Sequence, residues 1–282
     1  HHPTTTTSPP SCDALAVQPL PDSSGLPATF FGAALPDLQK GPVLHPTRWS
    51  MTSATPSKNI AAAASHLQAN SFVALHRLLS DKALRVAANF ANAIVRSGAL
   101  PQHDAMTTRH HFVNDTLSRF LQVELTPLVE RLANVGPLTL SHTYFAGYVL
   151  AGSRIPPHRD RPGCDISLSL NVASTPQKPA FPIGVTLAAD ADDAEEEAAS
   201  TRGDAIVAYE FGASGWLEVR DGLLPTDDSV DAFTNIVEVW LEPGDAFLFW
   251  GRKLEHFRRR PLPAGEQSLN ILLHWGASSD LE

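Results

Sequence analysis

The sequence predicts a mostly β protein of the α+β class: N-terminal helices followed by a double-stranded β-helix, or jelly roll. From Leu138 onward, apolar and polar residues alternate with a period of two, which is typical of half-buried strands. These short segments are separated by turn residues, whereas helical spacing occurs only earlier in the chain. Many short strands after two or three helices indicate a sandwich or barrel with helices on one side.

The chain divides into a head and one domain. Residues 1–48 are rich in Pro, Thr and Ser and carry little periodicity, so we expect a poorly ordered head that packs locally at best. Residues 49–282 are expected to form a single jelly-roll domain supported by helices. The hydrophobic content of 43% is sufficient for a sizeable core.

The segment before Leu138 supplies the predicted helices. A helical region begins at Ala61 and is followed by a short strand at residues 71–75. Ser80 and Asp81 are a suitable helix start, and Gly98 is a stop signal for that helix. A further helix is predicted over residues 114–132, where leucines recur at helical spacing. Both of these helices are expected to pack as scaffold against the sheet.

The remainder of the chain is predicted to consist of strands and turns. The predicted strands are residues 138–145, 148–150, 166–172, 183–188, 205–211, 215–219, 235–241, 246–250, 255–260 and 268–275. An acidic run at residues 190–197 interrupts them. Such a run is typical of a solvated loop, and a lid over the substrate is the alternative.

Composition and charge argue against several classes of protein. A net charge of −9 disfavours a nucleic-acid partner, because phosphate binding needs a concentrated basic surface. No run of 18 apolar residues occurs, and the first residues lack a signal-peptide pattern, so we expect no membrane partner. The two cysteines, Cys12 and Cys164, do not form a disulfide framework, which favours a reducing, cytoplasmic location. The oligomeric state is not predicted.

A metal site is predicted around the segment Ile155-Pro-Pro-His158-Arg-Asp160. Side chains alternate in an extended strand, so His158 and Asp160 are expected on the same side. A late histidine, His256, offers a third ligand. Two histidines and one carboxylate with open positions opposite are the ligand set of non-haem iron(II) oxygenases. A closed four-ligand zinc site would leave no room for a chelating cosubstrate and dioxygen.

Two segments resemble those that form the metal site of Fe(II)/2-oxoglutarate-dependent dioxygenases, with the prolyl-hydroxylase-like branch as the nearest likeness. They are residues 148–160, and the Pro243-Gly-Asp245 turn together with Glu255-His256-Phe-Arg258. The resemblance covers roughly residues 70–276. It implies an oxidoreductase with a jelly-roll core that binds Fe(II) through His158, Asp160 and His256. It also implies 2-oxoglutarate and dioxygen as cosubstrates for oxidation of a C–H bond.

The sequence departs from this family at the position that binds the far carboxylate of 2-oxoglutarate. Many relatives place Arg or Lys about ten residues after the distal histidine, whereas residues 265–268 here contain no cation. Arg258 lies two residues after His256, on the same strand face and about 7 Å along it. A guanidinium binds a carboxylate in bidentate fashion, so we predict Arg258 as the anchor. Arg260 is the second candidate, and Arg259 is expected to point outward.

Other polar residues fall at alternating positions that are expected to face a pocket. Tyr148, Ser169 and Asn270 are the candidates that we assign to cosubstrate binding. The further candidates at such positions are Ser167, Asn171 and Ser268. Candidates for contact with a substrate carboxylate are Arg109, Asn114 and Arg154. The histidines interpreted as structural or exposed instead of metal-ligating are His110, His111, His142 and His274.

The sequence therefore favours an oxygenase that acts on a small polar molecule, such as an amino acid or a natural-product intermediate. A protein prolyl hydroxylase is one alternative. A non-catalytic metal-binding jelly roll is another, and a zinc hydrolase could use the same three ligands. The substrate and the position oxidised are not predicted.

Overall fold

The computed structural model describes residues 56–97, 102–104, 107–177, 181–187, 206–211, 217–219 and 236–277. The predicted head and the acidic run lie outside these residues. The helices are α1 (Pro56–Asn70), α2 (Asp81–Ser97) and α3 (Thr116–Ala133). The strands are β1 (Phe72–Leu75), β2 (Gln102–Asp104), β3 (Arg109–Val113), β4 (Thr139–Tyr148), β5 (Ile155–His158), β6 (Ile166–Thr175), β7 (Ile183–Thr186), β8 (Ile206–Phe211), β9 (Leu217–Val219), β10 (Ile236–Val239), β11 (Ala246–Phe249), β12 (Glu255–Arg258) and β13 (Gln267–Gly276).

The helices begin at residues that satisfy their free backbone N–H groups. The Ser80 hydroxyl accepts a hydrogen bond from the Ala83 N–H at 3.2 Å, which confirms the predicted start of α2. Asp115 caps α3 by accepting from the Ser118 N–H at 2.9 Å. The preceding Asn114 accepts from the Thr143 N–H of β4 at 3.0 Å, so its side chain ties a loop to the sheet.

Two sheets form the β part, and the predicted jelly roll is confirmed. Within the described residues, the larger sheet has the order β1-β11-β6-β13-β4-β3-β2, and the smaller has the order β5-β12-β7-β10-β8-β9. Neighbouring strands are antiparallel except for the parallel pair β8 and β10. Helix α2 contacts β6, and α3 contacts β4 and β13, so the helices cover one face of the larger sheet. No described helix is long and apolar enough to cross a membrane.

Alternating residues of β6 separate the two faces of the larger sheet. Ile166, Leu168 and Leu170 belong to the apolar core that includes the helices. Ser167 and Ser169 lie on the opposite face and line a cavity between the sheets. This period of two places polar side chains where they reach a ligand while the apolar side chains hold the scaffold.

A second apolar core fills the space between the two sheets on one side of the cavity. Its buried members are Phe72, Ile183, Val185, Val237, Val239, Leu241, Phe247, Phe249 and Leu254. The rings of Phe72 and Phe247 stack with their centres 5.2 Å apart. This packing fixes the separation of the sheets and therefore the width of the cavity.

Several predicted strand boundaries were wrong. Residues 138–145 and 148–150 were expected as separate strands, but β4 runs without a break from Thr139 to Tyr148. The predicted strand 255–260 ends at Arg258. The edge strand β2 and its neighbour β3 were not predicted, because the half-buried sequence of β3 shows no apolar and polar alternation.

The Pro243-Gly-Asp245 turn joins β10 to β11 and connects three parts of the fold. Gly244 has φ +99°, a left-handed conformation that favours glycine. The buried Asp245 carboxylate accepts hydrogen bonds from the Arg77 N–H and the Glu242 N–H, both at 2.9 Å. It also contacts His76 Nδ1 at 2.8 Å. The turn therefore fixes the loop between β1 and α2 against β11.

Replacement of Asp245 is expected to destabilise the fold. Asp245→Ala leaves several N–H groups without their acceptor, and we expect a loss of about 2–4 kcal/mol because each such buried group costs about 1–3 kcal/mol. The measurement is the free energy of unfolding from urea denaturation. The matched control is Asp81→Ala, which removes an exposed ion pair with Arg77 and is expected to cost less than about 1 kcal/mol. Equal losses in both variants would contradict this role for Asp245.

Candidate metal and cosubstrate site

An open cavity of about 540 Å³ lies between the two sheets, and this volume includes space at its mouth. Polar residues predominate in its lining: Arg109, Tyr144, Tyr148, His158, Asp160, Ser167, Ser169, His256, Arg258 and His274. The apolar lining residues are Ile155, Leu168, Ile183, Phe249, Phe257 and Leu272. The cavity therefore offers both polar and apolar surface to a ligand.

The three predicted metal ligands come together at one end of this cavity. One donor atom from each of His158, Asp160 and His256 lies within 4.8 Å of the other two. His256 Nε2 and Asp160 Oδ1 are 3.7 Å apart, which exceeds a hydrogen bond. Two ligands of one metal ion at about 2.0–2.2 Å each can have this separation. Strands β5 and β12 create the group, because His158 pairs directly with His256 in the antiparallel register.

Backbone carbonyls fix the orientation of both imidazoles. His158 Nδ1 lies 3.0 Å from the Pro156 carbonyl oxygen, and His256 Nδ1 lies 3.1 Å from that of Leu254. A carbonyl only accepts, so each Nδ1 carries the proton and each Nε2 keeps its lone pair. The same arrangement is common among metal-bound histidines.

Asp160 is positioned by neighbours and not by strand alternation. Strand β5 ends at His158, so Asp160 lies beyond the strand, although its carboxylate is on the same side as the His158 ring, as expected. The Asp160 N–H donates to the Gly251 carbonyl at 2.8 Å, and the Ser167 hydroxyl donates to Asp160 Oδ2 at 2.5 Å. Asp160 Oδ1 is the oxygen directed at His256. These two hydrogen bonds bring the carboxylate to the place that alternation was expected to provide.

Burial and charge set the protonation of the ligand group. Burial lowers the pKa of His256 to about 4, although the Asp160 carboxylate opposes this shift. Burial alone would raise the pKa of Asp160, but His274, His256 and the Ser167 hydrogen bond together lower it. At neutral pH the group therefore contains a neutral imidazole and a carboxylate, the forms that bind a metal ion.

Gly251 leaves the space that the Asp160 carboxylate occupies. A Cβ atom at residue 251 would overlap Asp160 Oδ2 and lie 2.6 Å from the Ser167 hydroxyl. Since the backbone of residue 251 also holds Asp160, the carboxylate would have to move. In the sequence, the only sign that residue 251 must lack a side chain is that a glycine follows β11.

We expect Gly251→Ala to lower metal affinity by roughly 10–100-fold, the usual cost of disturbing an outer-shell partner. The measurement is Fe(II) binding under anaerobic conditions. Gly136→Ala is the matched control, because a Cβ at residue 136 meets no atom within 4 Å. Unchanged Fe(II) affinity in Gly251→Ala would contradict the positioning role.

Arg258 lies further along β12 and lines the same cavity. Its buried guanidinium donates to the Phe181 carbonyl at 2.6 Å and lies 3.4 Å from Asn270 Oδ1. It also lies 5.5 Å from the centre of the Tyr148 ring. Burial lowers the pKa of Arg258 from its ordinary value, but an arginine stays charged. The Arg258 side chain thus contacts β13, the strand that begins within the cation-free residues 265–268.

The other residues predicted to bind the cosubstrate differ in whether they line the cavity. Tyr148 and Ser169 line the cavity, and the buried Ser169 hydroxyl has no hydrogen-bond partner among the described residues. Asn270 contacts Arg258 and donates to the Ser268 hydroxyl at 2.9 Å. Asn171 instead donates to the Leu241 carbonyl at 2.7 Å and is not a lining residue.

Arg259 and Arg260 lie away from the cavity. Each donates through Nε to the buried Glu238 carboxylate at 2.8 Å. Arg259 was expected to point away from the cavity and does so, but the expectation that Arg260 shares the face of Arg258 was wrong, because β12 ends before it. Arg260 therefore does not line the cavity and is not an alternative to Arg258 as the cosubstrate anchor.

A buried polar cluster that sequence reasoning did not identify lies beside the metal ligands. The His142 and His274 rings stack with their centres 4.5 Å apart, and His142 Nε2 contacts the Tyr144 hydroxyl at 2.7 Å. Burial lowers the pKa of His142 to about 3 and raises that of Tyr144 to about 12. Both side chains are therefore neutral near pH 7. Period-two alternation in β4 and β13 was the signal that could have placed Tyr144 and His274 in the cavity.

Comparison with solved structures identifies the fold. SnoN, a non-haem α-ketoglutarate-dependent epimerase from nogalamycin biosynthesis, matches with a TM-score of 0.53 and 14% identity over 78% of this chain and 84% of its own. HygX from Streptomyces hygroscopicus, solved with nickel and 2-oxoglutarate bound, gives 0.50 and 13% over 77% and 87%. A prolyl-4-hydroxylase from Pseudomonas putida gives 0.46 and 13% over 77% and 98%.

These structures are Fe(II)/2-oxoglutarate oxygenases, and the chain has their jelly-roll fold. The resemblance read from the sequence is confirmed at this level. No protein-family model matches the chain, and no curated protein matches it.

Proposed function

We propose that this protein is an iron(II)- and 2-oxoglutarate-dependent oxygenase that oxidises a C–H bond of a small polar substrate. The observation that carries the proposal is the ligand group itself. Two imidazoles with Nε2 available and one carboxylate oxygen converge at the end of an open cavity. This is the donor set of non-haem iron(II) oxygenases. The fold shared with SnoN and HygX supports the same class.

His158, Asp160 and His256 would hold the metal ion. Bound Fe(II) supplies the redox chemistry that couples decarboxylation of 2-oxoglutarate to oxidation of the substrate. Ser167 keeps one oxygen of Asp160 engaged, so that the other stays directed at the metal position. The neutral His256 avoids competition between a proton and the metal at Nε2.

Arg258 would bind the distal carboxylate of 2-oxoglutarate. It lies two residues beyond His256 on β12, so a cosubstrate that reaches from the metal along the strand meets a guanidinium. Ser169 lines the cavity two residues beyond Ser167, and its buried hydroxyl can bond to the same molecule. Tyr148 would pack beside the carboxylate, and Asn270 would orient the guanidinium.

We further propose a small substrate such as an amino acid or a natural-product intermediate, because polar side chains of the cavity offer partners for its polar groups, and a protein prolyl residue is the alternative. The test is reconstitution with Fe(II), 2-oxoglutarate and dioxygen, followed by measurement of succinate. We expect Fe(II)-dependent succinate release that a suitable substrate stimulates. A protein that binds 2-oxoglutarate without turnover would support the non-catalytic alternative, and Zn(II)-dependent hydrolysis without succinate would support a hydrolase.

A further inference from the structure

His274 lines the cavity, but the proposed metal and cosubstrate contacts do not use it. Its buried ring lies between the rings of His142 and Tyr144, whose centres are 4.5 and 5.2 Å away. Nδ1 lies 3.1 Å from the His142 carbonyl oxygen, and Gln122 Nε2 donates to the His274 carbonyl at 2.5 Å. These contacts fix both the strand and the ring, so the other ring nitrogen, Nε2, has one defined position.

The contact of His274 Nδ1 determines which ring nitrogen carries the proton. A carbonyl oxygen only accepts, so Nδ1 is the donor and Nε2 of the neutral ring keeps its lone pair. Burial lowers the pKa of His274 from its ordinary value, the Asp160 carboxylate opposes this shift, and the charges of Arg161 and Arg109 add to it. The ring is therefore neutral near pH 7. Within the described part of the chain, the bond from Nδ1 is the only side-chain hydrogen bond of His274, so Nε2 is an acceptor without a donor.

His274 lies at the metal end of the cavity. In the pairing of β13 with β6 it is directly opposite Ser167, whose hydroxyl donates to Asp160. Asn270, which contacts the proposed cosubstrate anchor Arg258, lies four residues earlier in β13, about 13 Å away along the strand. The His274 ring is thus next to the metal ligands, where a C–H bond has to be placed for oxidation.

The groups around His274 Nε2 offer it no proton. The Asp160 carboxylate accepts only, and the Ser167 hydroxyl already donates its one proton to that carboxylate. 2-Oxoglutarate also has no donor near pH 7, because its two carboxylates and its keto group only accept.

The neighbouring Tyr144 hydroxyl has likewise used its proton. Arg161 lies 3.3 Å from His142 Nε2, and a guanidinium only donates, so this nitrogen is an acceptor. The Tyr144 hydroxyl, 2.7 Å from the same nitrogen, therefore donates to it. A buried acceptor that stays without a donor weakens any complex formed around it. The donor for His274 Nε2 is accordingly expected from the substrate.

The residues predicted to contact a substrate carboxylate do not form such a site together. Asn114 accepts from the β4 backbone, and Arg154 is exposed and does not line the cavity. Arg109 does line the cavity, but it packs over the Tyr144 ring and has further interactions within the protein. The group that the substrate presents at the metal end is therefore inferred from the acceptor on His274 and not from a cation.

The charges around His274 favour a donor that is itself neutral. Arg161 and Arg109 act on the ring as positive charges. Asp160 opposes them, but a divalent metal ion on its carboxylate would more than balance that negative charge. An ammonium group beside the ring would be repelled, whereas a hydroxyl group donates a hydrogen bond without carrying a charge.

From this arrangement we infer that the substrate carries a hydroxyl group beside the C–H bond that is oxidised, and that His274 Nε2 accepts its hydrogen bond. This inference rests on the proposed oxygenase function and specifies its substrate class. His274 would accordingly determine specificity, because a molecule without the hydroxyl leaves a buried acceptor unpaired.

The test compares hydroxy compounds with analogues that cannot donate. The protein is loaded with Fe(II) and 2-oxoglutarate without oxygen, and a panel of monosaccharides and hydroxy amino acids is titrated beside analogues in which one hydroxyl is replaced by fluorine or by an amino group. Binding beside the metal is read from the change in visible absorption of the Fe(II)–2-oxoglutarate complex. We expect at least one hydroxy compound to bind, and replacement of one of its hydroxyls by either group to weaken binding at least tenfold.

His274→Phe keeps an aromatic ring between His142 and Tyr144 but has no acceptor. We expect it to bind the hydroxy compound roughly tenfold to a hundredfold more weakly and the fluorinated analogue as the wild-type protein does, so that the discrimination disappears. His274→Gln has a carbonyl oxygen that accepts, and it should keep part of the discrimination. The matched control is His66→Phe on α1, outside the cavity lining, which should discriminate as the wild-type protein does.

The unfolding midpoint of each variant is measured in parallel, and the wild-type comparison together with His274→Gln decides the matter if His274→Phe does not fold. Binding of no hydroxy compound, equal binding of the fluorinated analogues, or undiminished discrimination in folded His274→Phe would each overturn the inference. A shifted 2-oxoglutarate midpoint in His274→Phe with the discrimination intact would assign His274 to the cosubstrate instead. Failure to form the Fe(II)–2-oxoglutarate complex in the wild-type protein would refute the proposed function.

Discussion

His256→Ala is expected to abolish Fe(II) binding and metal-dependent turnover while the protein remains folded. The variant loses one of three ligands, and the effect should exceed the roughly 10–100-fold that loss of an outer-shell partner costs. His256 is buried, and its Nε2 lies 3.7 Å from Asp160 Oδ1, so its removal leaves a gap in the ligand group. Fe(II) binding under anaerobic conditions measures the loss.

The matched control is His66→Ala, which removes an exposed histidine on α1 that does not line the cavity. It should bind Fe(II) as the wild-type protein does. Circular dichroism and the unfolding midpoint establish whether each variant is folded. Retention of stoichiometric iron and succinate release in folded His256→Ala would refute the assignment of the distal ligand.

Arg258→Ala is expected to weaken 2-oxoglutarate by roughly tenfold to a hundredfold, since a charge-assisted hydrogen bond contributes about 1.5–3 kcal/mol. Fe(II) affinity should change little, because no metal ligand is removed. The measurement is titration of 2-oxoglutarate into the Fe(II)-loaded protein, followed by visible absorption. Arg258→Lys keeps the charge but loses the bidentate geometry, and we expect an intermediate midpoint.

Arg252→Ala is the control for a general loss of positive charge near the site, because Arg252 is largely exposed and pairs with Asp165. Its 2-oxoglutarate midpoint should match that of the wild-type protein. Arg258 is buried, so the unfolding midpoint of each variant is measured in parallel. A folded Arg258→Ala protein with an unchanged 2-oxoglutarate midpoint would show that the cosubstrate anchor lies elsewhere.

Sequence periodicity was sufficient to predict the scaffold, and the residues predicted as metal ligands, His158, Asp160 and His256, lie together in the structure. The alternation in β4 and β6 indicated which residues face the cavity, and Tyr148 and Ser169 follow it. The late His256 was recognisable because it follows a Pro-Gly-Asp turn. These signals are local, since a strand determines the direction of its side chains within a few residues.

The features that sequence could not provide depend on contacts between distant segments. Asp160 is held by the Gly251 backbone and the Ser167 hydroxyl. Strand alternation does not predict that either residue contacts Asp160. The position of the Arg260 side chain depends on where β12 ends and on its contact with the buried Glu238. Arg109 belongs to β3, a strand without alternation, so only the pairing of β3 with β4 brings it to the cavity.

Anaerobic titration of the metal-free wild-type protein with Fe(II), and then with 2-oxoglutarate, tests most directly whether the cavity holds both. We predict that one Fe(II) binds per chain and that 2-oxoglutarate then produces a visible charge-transfer absorption. Zn(II) in place of Fe(II) should bind without that absorption, because zinc has no redox chemistry. A wild-type protein that binds no Fe(II), or that binds Fe(II) and shows no spectral response to saturating 2-oxoglutarate, would contradict the proposed function.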